Sequence, residues 1–160
     1  MIGGTPDGFR SGGAPMHAMP HREDATLGER QWAAGAHAAA LALALLTSWT
    51  AGFAGMLAAG AVYLAKRGDS AFVAGHAREA FNFNLTMFLY ACALCVVAAL
   101  LVGATVFTLG LGLVLTLPAG LLLVVAAVAI AVMWLVCSIV ATVRALDGES
   151  YRYPLTLRLL

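Results

Sequence analysis

Charged positions divide this chain into three polar segments separated by two long apolar ones. Every Lys, Arg, Asp and Glu falls within residues 1–30, 66–79 or 144–160, so residues 31–65 and 80–143 carry no formal charge. A helix needs about 20 mainly apolar residues to cross a hydrocarbon core about 30 Å thick. Both uncharged stretches exceed that length, and both are expected to lie in a membrane.

As one helix, residues 31–65 would be about 50 Å long, a poor fit to a single crossing. Small polar residues and glycine in Thr47-Ser48-Trp49-Thr50-Ala51-Gly52 weaken a helix there, and tryptophan favours a membrane interface. Two short helices joined at this point, forming a tight or re-entrant hairpin, fit better. Residues 80–143 suit two crossings, and Gly103, Gly110, Gly112 and Pro118 place the break between 103 and 118. The expected spans are 80–102 and 119–143, with an apolar connector along the membrane surface.

Four crossings bring the three charged segments to one side, leaving the opposite connectors uncharged. The positive-inside rule then places Arg10, Arg22, Arg30, Lys66, Arg67, Arg78, Arg144, Arg152 and Arg158 in the cytoplasm, whereas three crossings would strand the early arginines outside. The expected architecture is an all-α polytopic membrane helix bundle of four transmembrane or partly re-entrant helices. Both termini lie on the same side, and the membrane is a bacterial cytoplasmic (inner) one. The bundle occupies residues 29–160, after a polar arm at 1–28. That arm is rich in Gly, Pro, His and charge, lacks the apolar core of a signal peptide and reads as disordered. Met16 and Met19 inside it leave the true start codon open.

Composition agrees with this pattern. Hydrophobic residues make up 62% and charged residues 11% of the chain, with mean hydropathy +0.90. Soluble domains are about 45–50% apolar and about 25% charged. A formal charge of +1 supplies no field for steering nucleic acid, which is excluded as a partner.

Ionisable groups within a membrane are costly and therefore count as candidates for function. His37, early in the first apolar stretch, has the chemistry of a proton relay or metal ligand, but a metal site needs several ligands. Alone it reads as a packing histidine. The richest segment runs from Asp69 to Tyr90. With Asp69 or Ser70 as N-cap, Arg78, Asn82, Thr86 and Tyr90 recur every four residues as a polar seam, with His76 and Glu79 on a neighbouring face. The seam reads either as interhelical glue or as a polar pathway or docking groove for another chain.

Cys92-Ala93-Leu94-Cys95 has redox-motif spacing, yet Cys137 is the sole other cysteine, and burial in lipid suppresses the thiolate. Small residues at Gly55 and Ala59, Gly60, and Ala99 and Gly103 have the spacing of close helix contacts. After residue 143, Gly148 is a helix stop, Tyr151, Arg152 and Tyr153 are an interface anchor, and Pro154 ends any new helix. Arg152 or Arg158 is expected to fold back onto Glu79.

Three groups of residues resemble a known family: Arg30-Gln31-Trp32-Ala33 with His37, then Ser70-Ala71-Phe72-Val73 with residues 76–83, and finally residues 148–155. They are similar to small bacterial membrane proteins related to the Tic-twenty component of the chloroplast inner-envelope import machinery. Departures are Ala71, Ala77 and a first hairpin without the Pro-Phe-Gly-Asn turn. The resemblance implies a four-helix bundle with both termini on one side, no established catalytic residues, and by analogy a part in polypeptide translocation or insertion.

The expected function is that of a non-enzymatic, multi-pass interaction, assembly or translocation-related module, with no cofactor and no metal. Its expected partners are the lipid bilayer and other membrane proteins or a second copy of itself. Its candidate polar residues are His37, His76, Arg78, Glu79, Asn82, Thr86, Tyr151, Arg152 and Tyr153. The alternative is a small oligomeric channel or transporter conducting along the seam. A thiol redox enzyme ranks below both.

Overall fold

The computed structural model describes residues 25–47 and 51–160, and within them the protein is all-α. Four helices follow in order: α1 (Leu27–Thr47), α2 (Ala51–Lys66), α3 (Ala71–Phe107) and α4 (Leu113–Leu146). The expected joint at Ser48, Trp49 and Thr50, and the arm up to residue 24, lie outside the described residues.

Side chains cap the starts of α1 and α3, and backbone bonds close the ends of α3 and α4. At the head of α1, the Thr26 hydroxyl accepts from the Glu29 N–H at 3.3 Å, and Glu29 Oε2 accepts from the Thr26 N–H at 2.8 Å. This reciprocal pair is a capping box. Ser70 caps α3 by accepting from the Val73 N–H, and its hydroxyl donates to Glu29 Oε1 at 2.6 Å. One carboxylate thereby joins the heads of two helices, and the Ser70 and Thr26 bonds hold Glu29 below the ordinary carboxylate range. Helix α4 stops at Gly148, whose φ of 73° is the left-handed cap conformation. The Glu149 N–H bonds to the Arg144 carbonyl and the Gly148 N–H to that of Ala145, which makes a Schellman motif.

The second hairpin departs from expectation. No apolar connector spans 103–118; instead α3 and α4 run into a tight turn at residues 108–112. Leu109 and Gly110 take φ of 51° and 88° there, and the 5→2 and 6→1 bonds onto Val106 and Thr105 repeat the Schellman pattern. Thr105 and Thr116 hydroxyls clasp across the turn at 2.8 Å, and the Thr108 hydroxyl accepts from the Gly112 N–H. With its polar groups met internally, the turn does not need the helices to stop early. Pro118 sits inside α4, close to its start, where little of the helical hydrogen-bond ladder is lost.

Helices α3 and α4 have 37 and 34 residues, about 55 and 51 Å at ~1.5 Å per residue. Both are long and apolar enough to cross a membrane, and only 11% and 6% of their most apolar windows are buried within the protein. Leu100, Val106, Val114 and Leu121 are at least 66% exposed, which places a continuous apolar surface outward. Helix α2 has 16 residues, about 24 Å, which is short for a full crossing.

The core sits at one end, where α1 packs on the first half of α3 and the last turns of α4, and α2 packs on α1 and α3. Ala33, Ala36, Ala40 and Ala44 form the buried stripe of α1, and their small side chains let the helices approach closely. Gly55 of α2 fits against Asn84, where an added Cβ would lie 2.5 Å from Asn84 Oδ1, and Ala59 beside it is fully buried. Gly103, by contrast, has open space around it. Phe83, Met87, Ala141 and Tyr153 make a second cluster, supported by Tyr90, Met133, Trp134 and Tyr151.

Candidate functional site

The buried half of α3 carries the polar residues that the apolar pattern makes conspicuous. Val73, Ala77, Ala80 and Phe83 hold it against its neighbours, so His76, Glu79, Asn82, Asn84 and Thr86 are buried along with them. Burying such groups costs free energy unless each finds a partner, and the partners define the site.

Two histidines and a tyrosine from three distant segments meet first. His37 Nε2 lies 2.9 Å from His76 Nδ1, and the Tyr153 hydroxyl lies 2.8 Å from His37 Nδ1. All three residues are at most 3% exposed. Ser138 stands beside Tyr153, and the Glu149 main chain beside His76. The geometry fits a chain in which Tyr153 donates to His37 Nδ1 and His37 Nε2–H to His76 Nδ1, with His76 Nε2 buried and without a hydrogen-bond partner among the described residues. Both imidazoles are then neutral, and His37 both donates and accepts. Tyr153 also stacks on Phe83 at 3.9 Å, and Phe72 packs 4.6 Å from His76. Burial raises the Tyr153 phenol far above its ordinary value, and burial beside the Cys137 thiol pushes Tyr151 up to about 12. Both phenols therefore stay protonated.

The polar seam is occupied by the chain's own last residues. After α4, residues 151–153 descend along α3, a turn at Pro154 and Leu155 reverses direction, and residues 156–160 return. Tyr90 donates to the Leu155 carbonyl at 3.1 Å, and the Leu157 N–H donates to the Thr86 hydroxyl at 3.0 Å. Asn82 Oδ1 accepts from the N–H groups of Leu159 and Leu160 at 3.1 and 3.2 Å, while its amide donates to the Leu160 carbonyl. The four-residue period of the seam is thus a rack that receives an extended backbone.

Charge closes the arrangement. Arg158 Nε lies 3.3 Å from Glu79 Oε1, so of the two arginines expected to fold back, Arg158 makes the pair. Arg152 is exposed, and so is Arg78, which heads the seam's periodicity but makes none of these bonds. Glu79 takes its place at the top of the rack. Its other oxygen, Oε2, is buried without a hydrogen-bond partner among the described residues.

Sequence reasoning passed over three participants. Asn84 links α3 to α4 by accepting from the Trp134 indole at 3.3 Å, and its neighbour Gly55 makes room for it. Glu29 has the spacing Thr26-Leu27-Gly28-Glu29, a capping-box signature that could have identified it. Ser138 carried no signal, being one small residue in an apolar run. Cys92 and Cys95 are exposed on α3, and Cys137 is half-buried. Among the described residues no three His, Cys, Asp or Glu side chains converge as a metal-binding group.

Comparison with known proteins corrects the expected kinship. The profile that matches is that of the magnetosome magnetite crystal formation protein family, over residues 28–160, and not one of the Tic-twenty kind. The motifs behind the earlier resemblance, around His37, His76–Phe83 and Tyr151–Pro154, are those that bind His37, α3 and the returning tail together. No curated protein and no solved structure matches the chain. The fold and the extent of the profile match lead to one conclusion: this chain is a membrane protein of the magnetosome magnetite crystal formation family.

Proposed function

We propose that the protein acts in magnetite crystal formation as a non-enzymatic, structural or assembly component of the magnetosome membrane. The profile match over residues 28–160 carries this reading. The outward apolar faces of α3 and α4 suit lipid, and the polar contacts join segments of this chain to one another in the manner of a scaffold. In this reading α1 and α2 enter the membrane as a short or re-entrant hairpin, α3 and α4 cross it, and the charged end carrying both termini faces the cytoplasm. Conduction along the seam has no support, because the tail fills it.

The test is deletion of the gene in a magnetite-forming bacterium, with crystal size and number read by electron microscopy and a tagged copy followed to its membrane. Crystals should change on deletion and recover with the wild-type gene, and the tagged protein should co-fractionate with magnetosomes. Unaltered crystals, or residence in another membrane, would overturn the proposal.

A further inference from the structure

The returning tail poses a problem that its leucines and its hydrogen bonds answer together. Residues 154–160 have no helix to satisfy their backbone, yet they lie along α3 from Glu79 to Tyr90, about 16 Å along the helix axis. Irregular backbone is tolerated at membrane depth only where protein or trapped water meets its polar groups. Asn82, Thr86 and Tyr90 meet those facing α3, while Leu155, Leu157 and Leu159 remain 71%, 50% and 68% exposed.

We infer that residues 154–160 form a re-entrant strap lying in the interfacial layer of the bilayer, with Leu155, Leu157 and Leu159 against lipid acyl chains. Three observations point to lipid as the occupant. The turn of the strap reaches Tyr90, and beyond that residue α3 becomes an exposed apolar surface, so the leucines continue a face that already adjoins lipid. Arg158 is half-exposed and anchored on Glu79 at the upper end, where a guanidinium can reach the headgroups while its stem lies along the apolar surface. Along the strap, leucine alternates in sequence with Thr156 and Arg158, a mixture suited to the layer between hydrocarbon and water. The inference rests on the reading that α3 and α4 are membrane spans.

The test uses the full chain, with Cys92, Cys95 and Cys137 replaced by Ala, in liposomes of phosphatidylcholine and phosphatidylglycerol. Nitroxide labels are placed singly at Leu157→Cys, Leu100→Cys and Asp69→Cys, and their collisions with molecular oxygen and with a water-soluble nickel chelate are compared. Leu100 reports the span and Asp69 the aqueous end. If Leu100 is accessible to nickel, the membrane reading itself fails. If Leu100 favours oxygen, Leu157 is expected to favour oxygen as well, at a ratio between those of Leu100 and Asp69. A Leu157 label as open to nickel as Asp69 would overturn the strap. So would one shielded from both probes and coupled to its counterpart in another molecule, which would make a second copy the occupant. Thr86→Val and Tyr90→Phe should each raise nickel collisions at Leu157 about twofold or more, and unchanged collisions in both would remove the seam from its role as the rack.

Discussion

The hydroxyl of Tyr153 lies 2.8 Å from Nδ1 of His37, across 116 positions of sequence, and both groups are buried. This contact ties the segment after α4 to the first helix, and through His37 Nε2 it reaches His76 on α3. A neutral hydrogen-bond chain of this kind orders three elements that apolar packing alone would leave free to slide, since alanine faces have little shape to register.

Removing the hydroxyl with Tyr153→Phe leaves His37 Nδ1 buried without its partner. We expect a loss of about 1–3 kcal/mol, the usual cost of an unsatisfied buried group. Tyr153→Ala also removes the stack on Phe83 and should cost about 3–5 kcal/mol. Thermal unfolding in mild detergent reads both, and a Tyr153→Phe protein as stable as wild type would show that the contact contributes nothing.

Glu79 and Arg158 should behave as a pair, and Arg152 should not take part. In a double-mutant cycle of Glu79→Gln and Arg158→Gln, we expect a coupling of about 0.5–1.5 kcal/mol. Arg152→Gln combined with Glu79→Gln should be additive. Equal coupling to both arginines would mean that the tail's charge matters and its position does not.

Packing at Gly55 predicts a contrast between two glycines. Gly55→Ala drives a methyl into Asn84, displaces the Trp134 bond and should cost about 1–3 kcal/mol. Gly103→Ala meets open space in mid-helix and should stabilise by about 0.5–1 kcal/mol. The same unfolding assay ranks the two, and a reversed order would contradict the α2–α3 contact.

Acid should loosen the heads of α1 and α3. Glu29 has its folded pKa depressed by the Ser70 and Thr26 bonds. Its contribution is therefore complete above the unfolded carboxylate pKa and is lost as pH falls through the lower folded value. Stability followed from pH 6 down to pH 3 should fall more steeply for wild type than for Glu29→Gln, and parallel curves would remove Glu29 from the caps.

Topology is open to direct labelling. Single cysteines at Gly68, Gly112 and Ser150 in a cysteine-free chain, probed with a membrane-impermeant maleimide in sealed vesicles, should place 68 and 150 on one side and 112 on the other. Labelling of 112 and 150 from the same face would eliminate the four-crossing arrangement.

Sequence reasoning reached the seam from its period, because four-residue spacing places Asn82, Thr86 and Tyr90 on one helix face whatever surrounds them. It could not reach the occupant. The seam binds main-chain groups of Leu155, Leu157, Leu159 and Leu160, and backbone N–H and C=O are the same at every position, so the recognised segment carries no signature. His37 looked like an isolated packing histidine for a similar reason: its partners His76 and Tyr153 stand 39 and 116 positions away.

By itself the sequence determined the membrane character, the helical class and the grouping of charge into three segments, since these follow from local hydropathy and helix length. Tertiary structure alone decided that α3 and α4 run on to a tight turn at 108–112, because threonine hydroxyls there satisfy the backbone. It also decided that the last residues return to cover the seam, that Arg158 and not Arg152 meets Glu79, and that one carboxylate joins the heads of two helices. Apart from the turn, whose bonds are local, these are meetings of groups distant in the chain, and such meetings depend on how the helices pack.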